Sequence, residues 1–458
     1  MEPRHYPGAM RFLVSLLLSA LLQAQEAFLV KPYLQLGDAP KVAAKERLDL
    51  LWHAEDRAAA WTVEVKVGSS WKSSTAPTYR RLDVPPLTEH RIYRVTLRDL
   101  PAGRAVPYRV SLNGKVVFEA EAQTRKPGGH RMVVFGDAAD ASPAQRAIAR
   151  TVAAQHPDAV FITGDLVYGR GRASEYRHHF FPIYNSDEVP LMRRVPFLGV
   201  PGNHDVSFDL RLWPDAPAYF AYWSQPLNGP ALKIGEPNAA PVAAGVHDAV
   251  VAASGPAFPR MASFSFDYGK VHWTVLDSNE YADWGSPGMQ AWLEADLRAA
   301  KTATWRVVAL HHPLFQSSRS HFDDQWMRPI SPILEKYGVD LVLAGHVHNY
   351  QRTAPIRFTS TRVGSRGRPV AGTFTVDEAF DGRTVTRAQG IIHIVTGAGG
   401  AELYDPWQTD VRTSWQSWTR FFISDQHSFT VLDVDGRTLK LRQLDAEGRE
   451  LDAITMTK

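Results

Sequence analysis

The hydrophobic rhythm of the chain changes once, near residue 125. Upstream it has period two: in WTVEVKV, Trp61, Val63, Val65 and Val67 alternate with polar residues, and in RIYRVTL the apolar positions are Tyr93, Val95 and Leu97. Such alternation sets one strand face on a core and the other in water. YRVSLNGKVVFEAE predicts a hairpin, because Asn113-Gly114 supplies two residues that tolerate positive φ in a tight turn. Short strands over about 100 residues, 28–125, predict an all-β sandwich. RKPGGH, 125–130, then reads as a linker.

Downstream, the short apolar runs RMVVF, AVFIT, PFLGV, HWTVL, RVVAL and VDLVLA are separated by helical stretches, which predicts an α/β layered domain over 130–458. Ser142-Pro143, Ser286-Pro287 and Ser331-Pro332 predict three helix starts, serine as the cap and proline in the first turn. Gly338 predicts the end of the third. The closing stretch HSFTVLDVDGRTLKLRQLDAEGRELDAI predicts hairpins that complete the same domain.

The first residues predict an export signal over 1–24: basic residues in MEPRHYPGAMR, the apolar FLVSLLLSALL, then small and polar residues around Ala24. That run is too short to span a bilayer comfortably, and Met10 is a candidate start. The expected location is secreted or periplasmic. Composition narrows the chemistry. With 44% hydrophobic and 22% charged residues among 458, a large core is expected. The formal net charge of +3 arises from 51 basic and 48 acidic side chains without a charge run, so no footprint for a nucleic-acid polymer or a membrane is visible. Oligomeric state is not legible. The chain has no cysteine, which excludes disulfides, thiolate metal sites and a cysteine nucleophile. Any metal must be held by oxygen and nitrogen.

The candidate chemistry follows the α/β strands. VVF is followed by Gly136-Asp137, FIT by Gly164-Asp165, LGVP by Gly202-Asn203-His204-Asp205, VAL by His311-His312-Pro313, and VLA by Gly345-His346-Val347-His348. The carboxyl ends of strands are where sites assemble in such sheets. Residues of metal-ligand type at five strand ends point to one metal site.

In this order the blocks GD, GDLVY, GNHD, HHP and GHVH resemble the calcineurin-like metallophosphoesterases, and in particular the purple acid phosphatases. The resemblance implies a fibronectin-type-III-like β-sandwich followed by an α-β-β-α layered catalytic domain. It implies two metals about 3 to 4 Å apart, with Asp165 bridging them. Asp137, Tyr168 and His348 would complete the protein ligands of the first metal, and Asn203, His311 and His346 those of the second. Many metallophosphoesterases begin Asp-x-His, but Ala139 stands at the histidine position, and Tyr168 resembles the purple subgroup's replacement. A free phenol titrates at about pH 10, so an ionised Tyr168 favours Fe(III) at the first position, with a divalent Fe, Zn or Mn at the second. The implied activity is an exported acid phosphatase that hydrolyses small phosphate monoesters by attack of a metal-bound hydroxide. His204 and His321 match positions that contact phosphate and assist the leaving group, with His312 as a substitute for His321. A phosphodiesterase or nucleotidase of the same superfamily, or an exported binding protein with a vestigial metal site, are the alternatives. The segment 206–261, with YFAYW, and WQTDVRTSWQSW are expected to wall the site.

Overall fold

The computed structural model describes residues 27–83, 88–138, 140–206, 212, 215–216, 218–242, 247–361 and 370–458. The expected signal segment and Ala139 lie outside the described residues. The first part of the chain forms β1 (Val30–Gln35), β2 (Lys45–Glu55), β3 (Trp61–Val67), β4 (Ser70–Ser73), β5 (Thr78–Leu82), β6 (His90–Pro101), β7 (Ala105–Leu112) and β8 (Lys115–Gln123). Two layers result, β1-β2-β6-β5 and β4-β3-β7-β8. Trp61, Val63 and Val65 of β3 are buried against Trp52, Tyr93 and Val95 of the other layer, as their period-two spacing requires. Asn113 (φ 50°) and Gly114 (φ 81°) make the turn between β7 and β8.

The next strands are β9 (His130–Phe135), β10 (Ala159–Ile162), β11 (Phe197–Gly199), β12 (Phe264–Tyr268), β13 (Val271–Leu276), β14 (Trp305–Leu310) and β15 (Leu341–Ala344). They are followed by β16 (Tyr350–Thr353), β17 (Ile356–Ser360), β18 (Gly372–Val376), β19 (Ile392–Thr396) and β20 (Thr419–Ile423). The C-terminal meander is β21 (Ser428–Asp435), β22 (Thr438–Asp445) and β23 (Glu450–Thr457). β17 and β18 pair as a hairpin outside the two large sheets.

The two large sheets pack face to face, and successive residues of each strand face different layers. In β9 and β10, Met132, Val134, Ala159 and Phe161 enter the core between the sheets, while Val133, Phe135, Val160 and Ile162 face Ile148, Ala149 and Val152 of the helix Pro143–Ala154. In β14 and β15, Val307, Ala309, Leu341 and Leu343 enter the same inter-sheet core. Val308, Leu310 and Val342 face Met289, Leu293 and Leu297 of the helix Pro287–Ala299. Helix, sheet, sheet and helix therefore stack in that order.

The N-terminal layers are joined to this stack more closely than a linker implies. β1 pairs in parallel with β11, Gln35 opposite Phe197, so one sheet of ten strands runs β23-β22-β21-β9-β10-β11-β1-β2-β6-β5. Arg125, at the start of RKPGGH, is 1% exposed. It pairs with Glu46 at 2.8 Å and donates to the carbonyls of Lys41 and Asp267. Farther along the seam, buried His90 donates from Nδ1 to the Thr88 carbonyl and accepts at Nε2 from the Tyr222 hydroxyl, both at 3.1 Å. The YFAYW aromatics, Tyr219, Phe220, Tyr222 and Trp223, are buried among Tyr176, Phe180 and Phe258. They are core, not a wall of the site.

The three serine-proline starts differ. Ser142 Oγ accepts from Gln145 N at 3.0 Å, whereas Ser286 occupies the cap of its helix without a cap hydrogen bond, its Oγ accepting from Asn238 Nδ2 at 3.3 Å instead. Ser331 is not a cap: the 3-10 turn Arg328–Ile330 already supplies helical backbone, and Ser331 is the first residue of the helix Ser331–Lys336. Gly338 (φ 64°) follows that helix. Among the described residues no helix is long and apolar enough to cross a membrane.

Candidate metal centre

The strands end on one side of the molecule, and their next residues converge. Asp137 follows β9, Asp165 follows β10, Asn203 follows β11, His311 follows β14, and His346 and His348 follow β15. Asp137 (φ 58°), Asp165 (φ 49°) and His346 (φ 68°) adopt left-handed backbone, a conformation that costs a non-glycine residue energy and clusters at functional sites. Two glycines make the close approach feasible. A Cβ on Gly164 (φ 93°) would lie 2.4 Å from His311 Nδ1, and one on Gly202 would lie 2.2 Å from Asp165 Oδ1.

Each histidine is held by its outer nitrogen. A carbonyl can only accept, so His311 Nδ1–H donates to Thr163 O at 2.9 Å and His348 Nδ1–H donates to Glu402 O at 2.6 Å. This leaves Nε2 of both rings facing inward. His346 is turned the other way: its Nε2 meets Asp324 Oδ2 at 3.0 Å, and its Nδ1 lies 3.0 Å from Asn203 Oδ1. A carboxylate or carbonyl behind a histidine fixes its tautomer and raises its basicity, the usual support of a metal-ligating imidazole.

The inward atoms form two adjoining groups. His311 Nε2 and His346 Nδ1 each lie 3.0 Å from Asn203 Oδ1. On the other side, the Tyr168 hydroxyl lies 2.8 Å from His348 Nε2 and 3.3 Å from Asp137 Oδ1. Between them, one donor atom each of Asp137, Asp165 and His311 lies within 4.8 Å of the others. Two buried carboxylates, a phenol, an amide oxygen and three imidazoles therefore meet, an oxygen and nitrogen set suited to hard or borderline cations.

Burial and neighbouring charges act on His311 and Asp165 in opposite directions. Burial disfavours a charged His311, but Asp165 and then Asp137 outweigh it and push His311 up to about 9. Burial likewise works against Asp165, which the His311 charge nevertheless holds well below the usual carboxylate range. Burial pushes Asp137 well above that range, and the Asp165 charge adds to the rise. Burial also lowers His346 and His348 to about 4 and pushes Tyr168 well above an ordinary phenol.

His204 and His321 flank this cluster. His204 N donates to Asp165 Oδ1 at 2.9 Å, and its half-buried ring lies 4.8 Å from that of Tyr168. His321 is exposed, its ring 4.2 Å from that of His346, and its Nδ1 lies 2.9 Å from Asp324 Oδ2. Asp324 thus contacts both His321 and His346, a link that no strand-end motif announces. Tyr404 stacks on His348 at 3.9 Å and 11°. Asp205 of GNHD faces away from the cluster. It accepts from the backbone N–H groups of Gly202, Leu166 and Val167, clipping the Asn203 loop to the Asp165 loop. In WQTDVRTSWQSW, Gln408 accepts from Arg319 N and donates to Ser317 O, bracing the loop before His321.

Comparison with known proteins relates the chain to phosphoesterases. The family model described as Calcineurin-like phosphoesterase matches residues 130–350. The chain is 25% identical over 403 residues to "Probable inactive purple acid phosphatase 1" of Arabidopsis thaliana, covering 80% of this chain and 58% of that protein. It is 24% identical over 404 residues to "Acid phosphatase type 7" of Homo sapiens, covering 80% of this chain and 77% of that protein. The fold is that of the purple acid phosphatase PPD1 from yellow lupin (Lupinus luteus) seeds, with a TM-score of 0.66 at 18% identity over 93% of this chain and 74% of the lupin chain. Residues 130–350 thus match the calcineurin-like phosphoesterase family, and the chain as a whole is similar to purple acid phosphatases in sequence and fold.

Proposed function

We propose that this protein is an exported dimetal acid phosphatase that hydrolyses small phosphate monoesters. The observation that carries the reading is the convergence of seven oxygen and nitrogen donors from five strand-end loops, each histidine oriented from behind by a protein acceptor. Bound metals would polarise a phosphoryl oxygen and activate a water for in-line attack. Asp165 lies between the two groups of donors and would be shared. Asp137, Tyr168 and His348 would hold the first metal, Fe(III) in this reading because only a strongly acidic ion ionises so buried a phenol. Asn203, His311 and His346 would hold the second, a divalent ion.

The chain's own residues then handle the substrate. His204 keeps Nδ1 towards the Gly169 carbonyl at 3.4 Å, which turns Nε2 to the open side of the site, where it can meet a phosphoryl or leaving-group oxygen. His321 is held by Asp324 at the rim, within reach of a departing alkoxide. The N-terminal layers, fibronectin-type-III-like in this reading, support the sheet edge at β11.

The test is Asp165→Ala. Activity on p-nitrophenyl phosphate should vanish and bound metal should fall, because both cations lose a shared anion; near-normal turnover would sink the dimetal reading. A p-nitrophenyl bis ester turned over faster than the monoester would make the enzyme a phosphodiesterase instead. Three relatives carry the word inactive in their names, which favours a second reading as a binding protein. The full donor set argues against it, and metal-loaded protein with no hydrolysis of any phosphate ester would establish it.

A further inference from the structure

The dimetal reading leaves one buried imidazole beside the cluster without a role. His312 is 3% exposed, its ring 4.3 Å from that of His346, 4.8 Å from that of His311 and 4.7 Å from that of Trp326. One ring nitrogen of His312 lies within 4.8 Å of a ring nitrogen of His311 and of His346. By distance alone it is a candidate metal ligand.

Its hydrogen bonds exclude that. Ser278, fully buried, receives the backbone N–H groups of His311 at 3.1 Å and of His312 at 2.8 Å on its Oγ. A hydroxyl has two acceptor lone pairs and one proton. Both lone pairs are taken, so the proton must go elsewhere, and His312 Nδ1 lies 3.0 Å from the same Oγ. Ser278 therefore donates to His312 Nδ1, and a neutral His312 carries its hydrogen on Nε2. Trp326 Nε1 donates to the Ser278 carbonyl at 2.9 Å, which holds the serine in place.

We infer that His312 is a fixed N–H donor to a phosphoryl oxygen beside His311 and His346, not a metal ligand. The inference rests on the dimetal reading above. A lone pair on Nε2 would bind a cation; a hydrogen there repels one and attracts an oxyanion. The serine thus decides which of two tasks a histidine among metal ligands performs, and the donor is oriented before substrate arrives.

The tautomer is read directly by nitrogen-15 NMR of histidine-labelled protein: Nε2–H with an acceptor-type Nδ1 is expected for His312, and the opposite tautomer would overturn the inference. This readout needs no activity, so it fails independently of the phosphatase reading, which stands or falls on hydrolysis by the wild type. Affinity for inorganic phosphate and metal content are then measured on the metal-loaded protein. His312→Leu should weaken phosphate binding about ten- to hundredfold, the loss of one hydrogen bond to a charged group, with metal content unchanged. His312→Gln, which restores an N–H at a similar reach, should bind within a few-fold of wild type. Loss of metal in both His312 variants would make the residue a ligand, and equal phosphate affinity in all three proteins would remove the contact. If His312→Leu does not fold, Ser278→Ala, which frees the tautomer, should still weaken phosphate binding, and an unchanged affinity there would refute the inference.

Discussion

His204 hangs from the loop that carries Asn203, tied to Asp165 through its backbone N–H and not through its ring. Removing the ring therefore leaves the proposed ligands in place. His204→Ala should keep its metal content but lose roughly 10²- to 10⁴-fold in turnover, the usual range for a positioned acid or base. The loss should shrink for p-nitrophenyl phosphate relative to an alkyl phosphate, and an equal loss for both would reassign His204 to phosphate binding. Tyr168 gives a test that needs no kinetics. A phenolate on Fe(III) absorbs visible light, whereas zinc, with a filled d shell, gives no such band. Tyr168→Phe keeps the ring and removes the oxygen, so the band of the oxidised protein should disappear at matched iron content. A persistent band would exclude Tyr168 as its origin. The donor residues were legible as a set because each follows an apolar run. Asp324 and Ser278 were not: one sits in an irregular loop, the other looks like any serine after a strand, and only tertiary packing sets either against a histidine.

Among the elements, the helix starts separate propensity from bonding. Ser142 and Ser286 read identically in the sequence, each before a proline, yet only Ser142 closes a cap hydrogen bond, and its hydroxyl also donates to the Gly400 carbonyl at 2.8 Å. Ser142→Ala should cost about 1 kcal/mol, whereas Ser286→Ala should fall within about 0.5 kcal/mol of wild type; urea midpoints of the two variants decide it. The strands were legible because their interior runs are short and apolar and their surface runs alternate. The pairing of β1 with β11 was not, because an edge-to-edge match between distant segments leaves no local pattern.

At the scale of the whole molecule, the seam between the N-terminal layers and the catalytic stack holds a titratable group. His90 is buried and neutral, lowered to about 4 first by burial, against the Thr88 carbonyl bond that raises it. Its folded pKa lies below the unfolded one, so the unfolded chain binds a proton first as pH falls. Stability should therefore drop between about pH 6.5 and 4 by on the order of 3 kcal/mol from this residue, and level off below. Urea midpoints across that range should fall less steeply in His90→Gln than in wild type, and equal slopes would clear His90.

The ten-stranded sheet also sets an order of events during folding. Gln35 meets Phe197 and Val134 meets Thr430, partners separated by 197 − 35 = 162 and 430 − 134 = 296 residues. Contacts of such separation form slowly, because a long loop must close before any pairing is gained. The N-terminal strands cannot dock on β11 until it has been synthesised, and β9 waits almost to the end of the chain for β21. The newly made chain thus stays open for most of its synthesis, its strand edges in need of protection from aggregation. Under the export proposed above, the same delay would leave the chain time to cross a membrane before it folds.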